Sequence, residues 1–77
     1  MFYTDSNLQG GYTMWTTVYV ASGKEWAIEV ENKLIAEGFL VKKELVELGD
    51  EEEIYEILVP ELEASDVQVL LYELGII

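Results

Sequence analysis

Four lysines (Lys24, Lys33, Lys42 and Lys43) and sixteen carboxylates are the charged side chains of this 77-residue sequence. Histidine, cysteine and arginine are absent. Without histidine the commonest general base is missing, and with it the commonest ligand for zinc and copper. The lack of cysteine rules out thiolate metal sites and a disulfide framework, and leaves no indication of redox compartment. The lack of arginine removes bidentate clamps for phosphate or carboxylate. Lysine, serine, tyrosine and carboxylates remain, a thin set for catalysis, and no motif organises them.

Three constellations could still bind something. The acidic run "GDEEE" at 49–53 offers oxygen ligands to a divalent cation, but lacks the alternating acids and central glycine of a calcium loop, so a solvated hairpin turn is the better reading. Gly23, just ahead of a helical pattern, could bring backbone N–H groups to an anion; a lone glycine there more simply makes a tight start to the helix. The aromatic stretch "WTTVYV" at 15–20 could present Trp15, Thr17 and Tyr19 together on one sheet face, with Val18 and Val20 turned toward the core. RNA-binding modules stack bases on such a face. Here it would sit beside Glu44 or Glu56 with almost no positive charge, which argues against RNA and for an apolar protein contact.

Charge reinforces that exclusion. The formal net charge is −12, and phosphate backbones and anionic lipid surfaces bind through the Lys and Arg that this chain lacks. The expected partners are neutral or basic, with neither nucleic acid nor membrane among them. The apolar fraction of 51% nevertheless allows a core, so the chain does not read as a disordered acidic tail. At this length there is room for one domain, burying about 60% of its unfolded surface. No stretch approaches the roughly 18 apolar residues of a membrane span, and the N-terminus lacks signal-peptide character; the expected location is cytoplasmic.

The elements that would position these residues can be read from periodicity. Residues 1–13, "MFYTDSNLQGGYT", show no period and read as a flexible extension, with docking of Phe2 and Tyr3 on the domain as the alternative; Met14 is a candidate start of the patterned chain. Residues 14–77 form the single domain. "WTTVYVA" (15–21) reads as a strand. Ser22 then caps a helix, forming a capping box with Glu25. Ala27, Val30 and Leu34 share one face of that helix, Ile28 and Ile35 widen it, Glu29, Glu31, Lys33 and Glu37 face water, and Gly38 ends it. A strand at 39–48, a turn at "GDEE" and a strand at 53–59 stopped by Pro60 follow. The second helix starts from Ser65, boxed with Gln68, and buries Val67, Leu70, Leu71 and Leu74 before Gly75. Burying those four contributes roughly 6–12 kcal/mol gross, comparable with the net stability of a small domain.

The order is β-α-β-β-α. A crossover followed by a hairpin sets strand one beside strand three with both helices on one face, which is a ferredoxin-like α+β fold. Its fourth strand is missing, since Ile76-Ile77 is at most a stub. The outer edge of strand one then either stands unpaired, which makes it a place for pairing, or is covered by the leader or another chain.

"WTTVYVASGKEWAIEVENKLIAEGFLVKKELV" with "YEILVPELEASDVQVLLYELG" resembles the short ferredoxin-like proteins described as prokaryotic signal-transducing proteins, a family of unknown function. It is most similar to small Gram-positive bacterial members that often carry an automatic "glutamate decarboxylase" label. The resemblance covers about residues 14–75 and rests on hydrophobic spacing, a Val-Tyr strand, Ala27 and a glycine after each helix. It implies the fold and a regulatory context. Residues 1–13 and Trp26 depart from the family pattern. The decarboxylase label fails on chemistry: a pyridoxal enzyme needs a Schiff-base lysine, a partner for the ring nitrogen, a phosphate cup and an enclosed substrate. No phosphate-binding motif accompanies any of the four lysines, so the expectation is a protein without enzymatic activity and without a cofactor.

What emerges is a regulatory or protein-interaction module. It would bind a protein partner, or itself as a homodimer, through strand one and the open sheet face, with Trp15, Thr17 and Tyr19 as the contact residues. A small-ligand sensor, for an amino acid or similar molecule, is the alternative.

Overall fold

The structure is a computed structural model that describes residues 14–49 and 52–77. The leader 1–13, with its flexible or docked alternatives, lies outside the described residues, as do Asp50 and Glu51 of the expected turn. Strand β1 spans Trp15–Ser22, helix α1 Lys24–Ala36, strand β2 Lys42–Leu48, strand β3 Glu53–Pro60 and helix α2 Ala64–Glu73, the last preceded by a 3₁₀ turn over Glu61–Glu63. The sheet order is β1-β3-β2, and β3 is antiparallel to both neighbours. β1 and β2 therefore run parallel to one another with β3 between them, the split β-α-β arrangement of a ferredoxin-like α+β fold.

One core holds this together. Val18, Ala21, Tyr55, Ile57 and Val59 from the sheet meet Ala27, Val30 and Leu34 from α1 and Val67 and Leu71 from α2. Eight of these ten have no exposed surface, Ala27, Val30 and Leu34 among them; of the two residues expected to widen that face, Ile28 is half-buried and Ile35 is exposed. Both helices thus cover the same side of the sheet. The α2 stripe is narrower than its spacing predicts: Val67 and Leu71 are fully buried and Leu70 half-buried, but Leu74 stays 43% exposed. The helix ends at Glu73, and Leu74 is its C-cap, already turning away from the helical path toward Gly75.

The helix ends are as expected and the helix starts are not. Gly38 (φ 94°) and Gly75 (φ 78°) both occupy left-handed backbone that costs any other residue about 1–2 kcal/mol. At the first, Phe39 N–H bonds Leu34 C=O and Gly38 N–H bonds Ile35 C=O; at the second, Ile76 bonds Leu71 and Gly75 bonds Tyr72. These are two copies of one Schellman closure. Phe39 and Ile76 fold back onto the core in consequence, so β2 starts at Lys42 rather than at 39, and Ile76-Ile77 bonds its own helix rather than forming a strand stub.

Neither serine box forms. Ser22 is the last residue of β1, paired with Ile54, and Gly23 (φ 91°) holds the N-cap position of α1 with its N–H given to Glu53 C=O at 2.7 Å. The ladder to β3 has claimed Ser22 before the helix can. Ser65 lies inside α2, because Pro60 (φ −58°) turns the chain at once into the 3₁₀ turn and the helix then begins at Ala64.

Candidate interaction surface

β1 does not alternate strictly. Its register against β3 runs Trp15↔Pro60, Thr16↔Val59 and Thr17↔Leu58, then resumes at Tyr19↔Ile57, Val20↔Glu56, Ala21↔Tyr55 and Ser22↔Ile54, with the shift between Thr17 and Tyr19. Val18 is the extra residue of a β-bulge, which places two residues against one on the partner strand. Directly opposed residues share a face, so Tyr19 goes with Ile57 to the helix side and Val20 with Glu56 to the open side.

The three contact residues expected from the sequence are therefore split. Trp15 and Thr17 share the open face and Tyr19 does not, which corrects the expectation that all three lie together and that Val20 points to the helices. Tyr19 packs against the core from its margin, and its hydroxyl accepts the Trp26 indole N–H at 2.9 Å. Val20, 55% exposed, takes its place on the open face. The sequence carried no signal for this, because Val18, Tyr19, Val20 and Ala21 are apolar in succession; in the structure Val18 and Ala21 are both buried although three positions apart, a spacing that an unbroken strand cannot place on one side.

The open face is assembled from all three strands. β1 supplies Trp15, Thr17, Val20 and Ser22; β3 supplies Ile54, Glu56 and Leu58; β2 brings Lys42 opposite Leu58 and Glu44 opposite Glu56. A second bulge, between Leu45 and Glu47, resets β2 and answers the register of this hairpin, in which charged residues sit on both faces. Thr17 Oγ1 donates to Glu56 Oε1 at 3.1 Å. Lys42 Nζ stands 4.9 Å from the centre of the Trp15 ring and 3.5 Å from Glu44 Oε2, a cation–π contact and an ion pair on one ammonium. Of the two acids offered as alternatives on this face, Glu56 lies beside β1, opposite Val20, and Glu44 lies one strand further, opposite Glu56.

Elsewhere the charged groups are mostly engaged in ordinary surface roles. Lys33 lies 3.9 Å from Glu29 along α1, and Lys43 3.2 Å from Glu31; Glu31 is thus half-buried against β2 instead of facing water freely. Tyr55 donates to Glu53 Oε1 at 2.6 Å, and that bond, with burial and the nearby negative charge, raises its phenol pKa. Glu63, at the start of α2, has one carboxylate oxygen buried and without a hydrogen-bond partner among the described residues. Among those residues no cluster of three acids could hold a metal ion, and no helix is long and apolar enough to cross a membrane. The N–H of Gly23 already serves the sheet, so the glycine acts as a tight start to α1.

The edges of the sheet differ sharply. β2 carries Lys42, Lys43, Glu44 and Glu47 among its seven residues, the charged, bulged pattern that discourages pairing. β1, "WTTVYVAS", has no charged side chain, and among the described residues no strand pairs with its outer side. Comparison with protein-family models, curated proteins and solved structures finds no match.

Proposed function

We propose that this chain is a non-enzymatic regulatory or protein-interaction module that binds through the open sheet face and the outer edge of β1. One observation carries the reading. The helix-side face of the sheet is closed by two helices, while the opposite face, with Trp15, Val20, Ile54 and Leu58, has no second layer among the described residues. A sheet face that mixes these apolar residues with Thr17, Glu56, Lys42 and Glu44, beside an uncharged edge, suits a strand-adding partner. The lysines support the non-enzymatic reading, since Lys33, Lys42 and Lys43 each stand beside a carboxylate on separate parts of the surface. The resemblance of residues 14–75 to the ferredoxin-like signal-transducing family supports a regulatory context in the cytoplasm. The partner is another protein or a second copy of the chain.

Sedimentation equilibrium and pull-downs with the wild type and Val20→Glu test this. The expected result is association by the wild type that the variant loses while remaining folded, its melting temperature lowered only by the like charge of Glu56 opposite. A wild type that stays monomeric, and a variant silent in pull-downs, would remove the proposal. The same face also supports the alternative of a small-ligand sensor, because ferredoxin-like regulatory domains can hold amino acids between paired sheets. A melting-temperature screen against amino acids, nucleotides and metals separates the two readings, as a ligand must stabilise the state it binds.

A further inference from the structure

We infer that the partner segment is an extended peptide of about seven residues, uncharged in its middle and cationic at its ends, added as a fourth strand along β1. This rests on the docking reading above and specifies the chemistry of what docks.

Backbone direction comes first. Gly23 N–H bonds Glu53 C=O at one end of the β1–β3 ladder and Glu61 N–H bonds Met14 C=O at the other. In an antiparallel pair, residues that exchange hydrogen bonds alternate with residues whose N–H and C=O point away. Following the register inward from both ends and across the bulge, Met14, Thr16, Tyr19, Ala21 and Gly23 face β3 with their backbone groups. Trp15, Thr17, Val20 and Ser22 then direct theirs outward. The same four residues carry their side chains on the open face. An added strand would meet hydrogen-bonding groups and contact side chains from one set of residues, along about 26 Å of strand at roughly 3.3 Å per residue.

Charge then selects the occupant. The strand itself is neutral, but both of its ends are acidic. Near Trp15, Pro60 leads directly into Glu61, which is exposed and whose N–H bonds Met14 C=O. Near Ser22, Glu53 accepts the N–H of Gly23, and the exposed Glu25 opens α1. Two lysines lie near the strand, Lys24 beside Glu25 and Lys42 over the Trp15 ring with its ammonium paired to Glu44, and the whole chain carries −12. A second copy would bring the same acids to the same ends and the same net charge, whereas a segment with Lys or Arg at its ends complements them.

The test is a nitrogen-15 NMR titration of the full chain with two synthetic peptides, KVTVTVK and EVTVTVE, and with KVTVTVK N-methylated at alternate residues. The cationic peptide is expected to shift and slow the exchange of the Trp15, Thr17, Val20 and Ser22 amides. At low salt it should bind at least about tenfold more tightly than the acidic one, the gap closing near 1 M salt. N-methylation should abolish binding, and Glu25→Lys with Glu61→Lys should weaken it severalfold without moving the melting temperature. Equal binding of the two peptides, or shifts along β2 instead, would overturn the inference. So would concentration-dependent protection of those amides without peptide, which would put a second copy on the edge and leave the docking reading intact. If neither peptide binds, the inference falls; the docking reading falls only if Val20→Glu is silent in the association assays as well.

Discussion

Trp26 donates its indole N–H to the Tyr19 hydroxyl across 2.9 Å, tying the first helix to the first strand. This bond exists because the bulge at Val18 swings Tyr19 to the helix side. It also gives a role to Trp26, half-buried against the core. Removing either partner is expected to cost about 0.5–1.5 kcal/mol, the usual net worth of such a bond. A double-mutant cycle of Tyr19→Phe and Trp26→Phe in urea should show the two changes to be less than additive; strict additivity would mean that the pair is not coupled.

The two faces should respond unequally to charge. Tyr19→Glu would press a carboxylate against the margin of the core and lower stability, while Val20→Glu, on a residue 55% exposed but directly opposite Glu56, should cost less, about 0.2–1 kcal/mol from the facing like charges. Thermal melts of both variants check this, and a larger loss for Val20→Glu would contradict the assigned faces.

Within α2, Leu71 and Leu74 are separated by one turn and by their energetics. Leu71→Ala empties a fully buried site and is expected to cost about 2–5 kcal/mol, enough to unfold much of a marginal domain. Leu74→Ala, at 43% exposure, should cost well under half as much. Chemical denaturation midpoints would decide, and equal losses would restore the four-residue stripe expected from spacing alone.

Helix termini give a third contrast. Ser22→Ala and Ser65→Ala should be nearly neutral, because neither hydroxyl caps a helix. Gly38→Ala and Gly75→Ala should each cost about 1–2 kcal/mol, since a side chain is disfavoured at φ 94° and 78° even where space is open. Melting curves that ranked the serines above the glycines would contradict both Schellman closures.

Stability should also fall at alkaline pH. The Tyr55 phenol holds its proton more tightly in the folded chain than its ordinary value of 10.0, first because it donates to Glu53. Its contribution is therefore complete below pH 10 and is lost as pH rises through the raised value. Denaturation of Tyr55→Phe against pH should show a shallower alkaline decline than the wild type, and identical slopes would remove Tyr55 as the cause.

Sequence periodicity was sufficient for much of what is local. Ala27, Val30 and Leu34 recur at helical spacing, and Gly38 and Gly75 are residues that tolerate positive φ; the element order, and with it the β-α-β-β-α fold class, follows from such facts, whereas Pro60, expected to stop β3, pairs with Trp15 as its last residue and the ladder runs on to Glu61 N–H on Met14 C=O. The charge asymmetry between β1 and β2 is equally legible, being composition alone. The tertiary structure decided what depends on competition between partners. Ser22 could cap a helix or extend a strand, and pairing with Ile54 took it. Tyr19 could face either side of the sheet, and one extra residue at Val18 reversed every side chain after it, because a period of two has no tolerance for an insertion. Val20 became part of the open face for the same reason. A bulge arises from how two strands meet, so one strand read by itself could not reveal it.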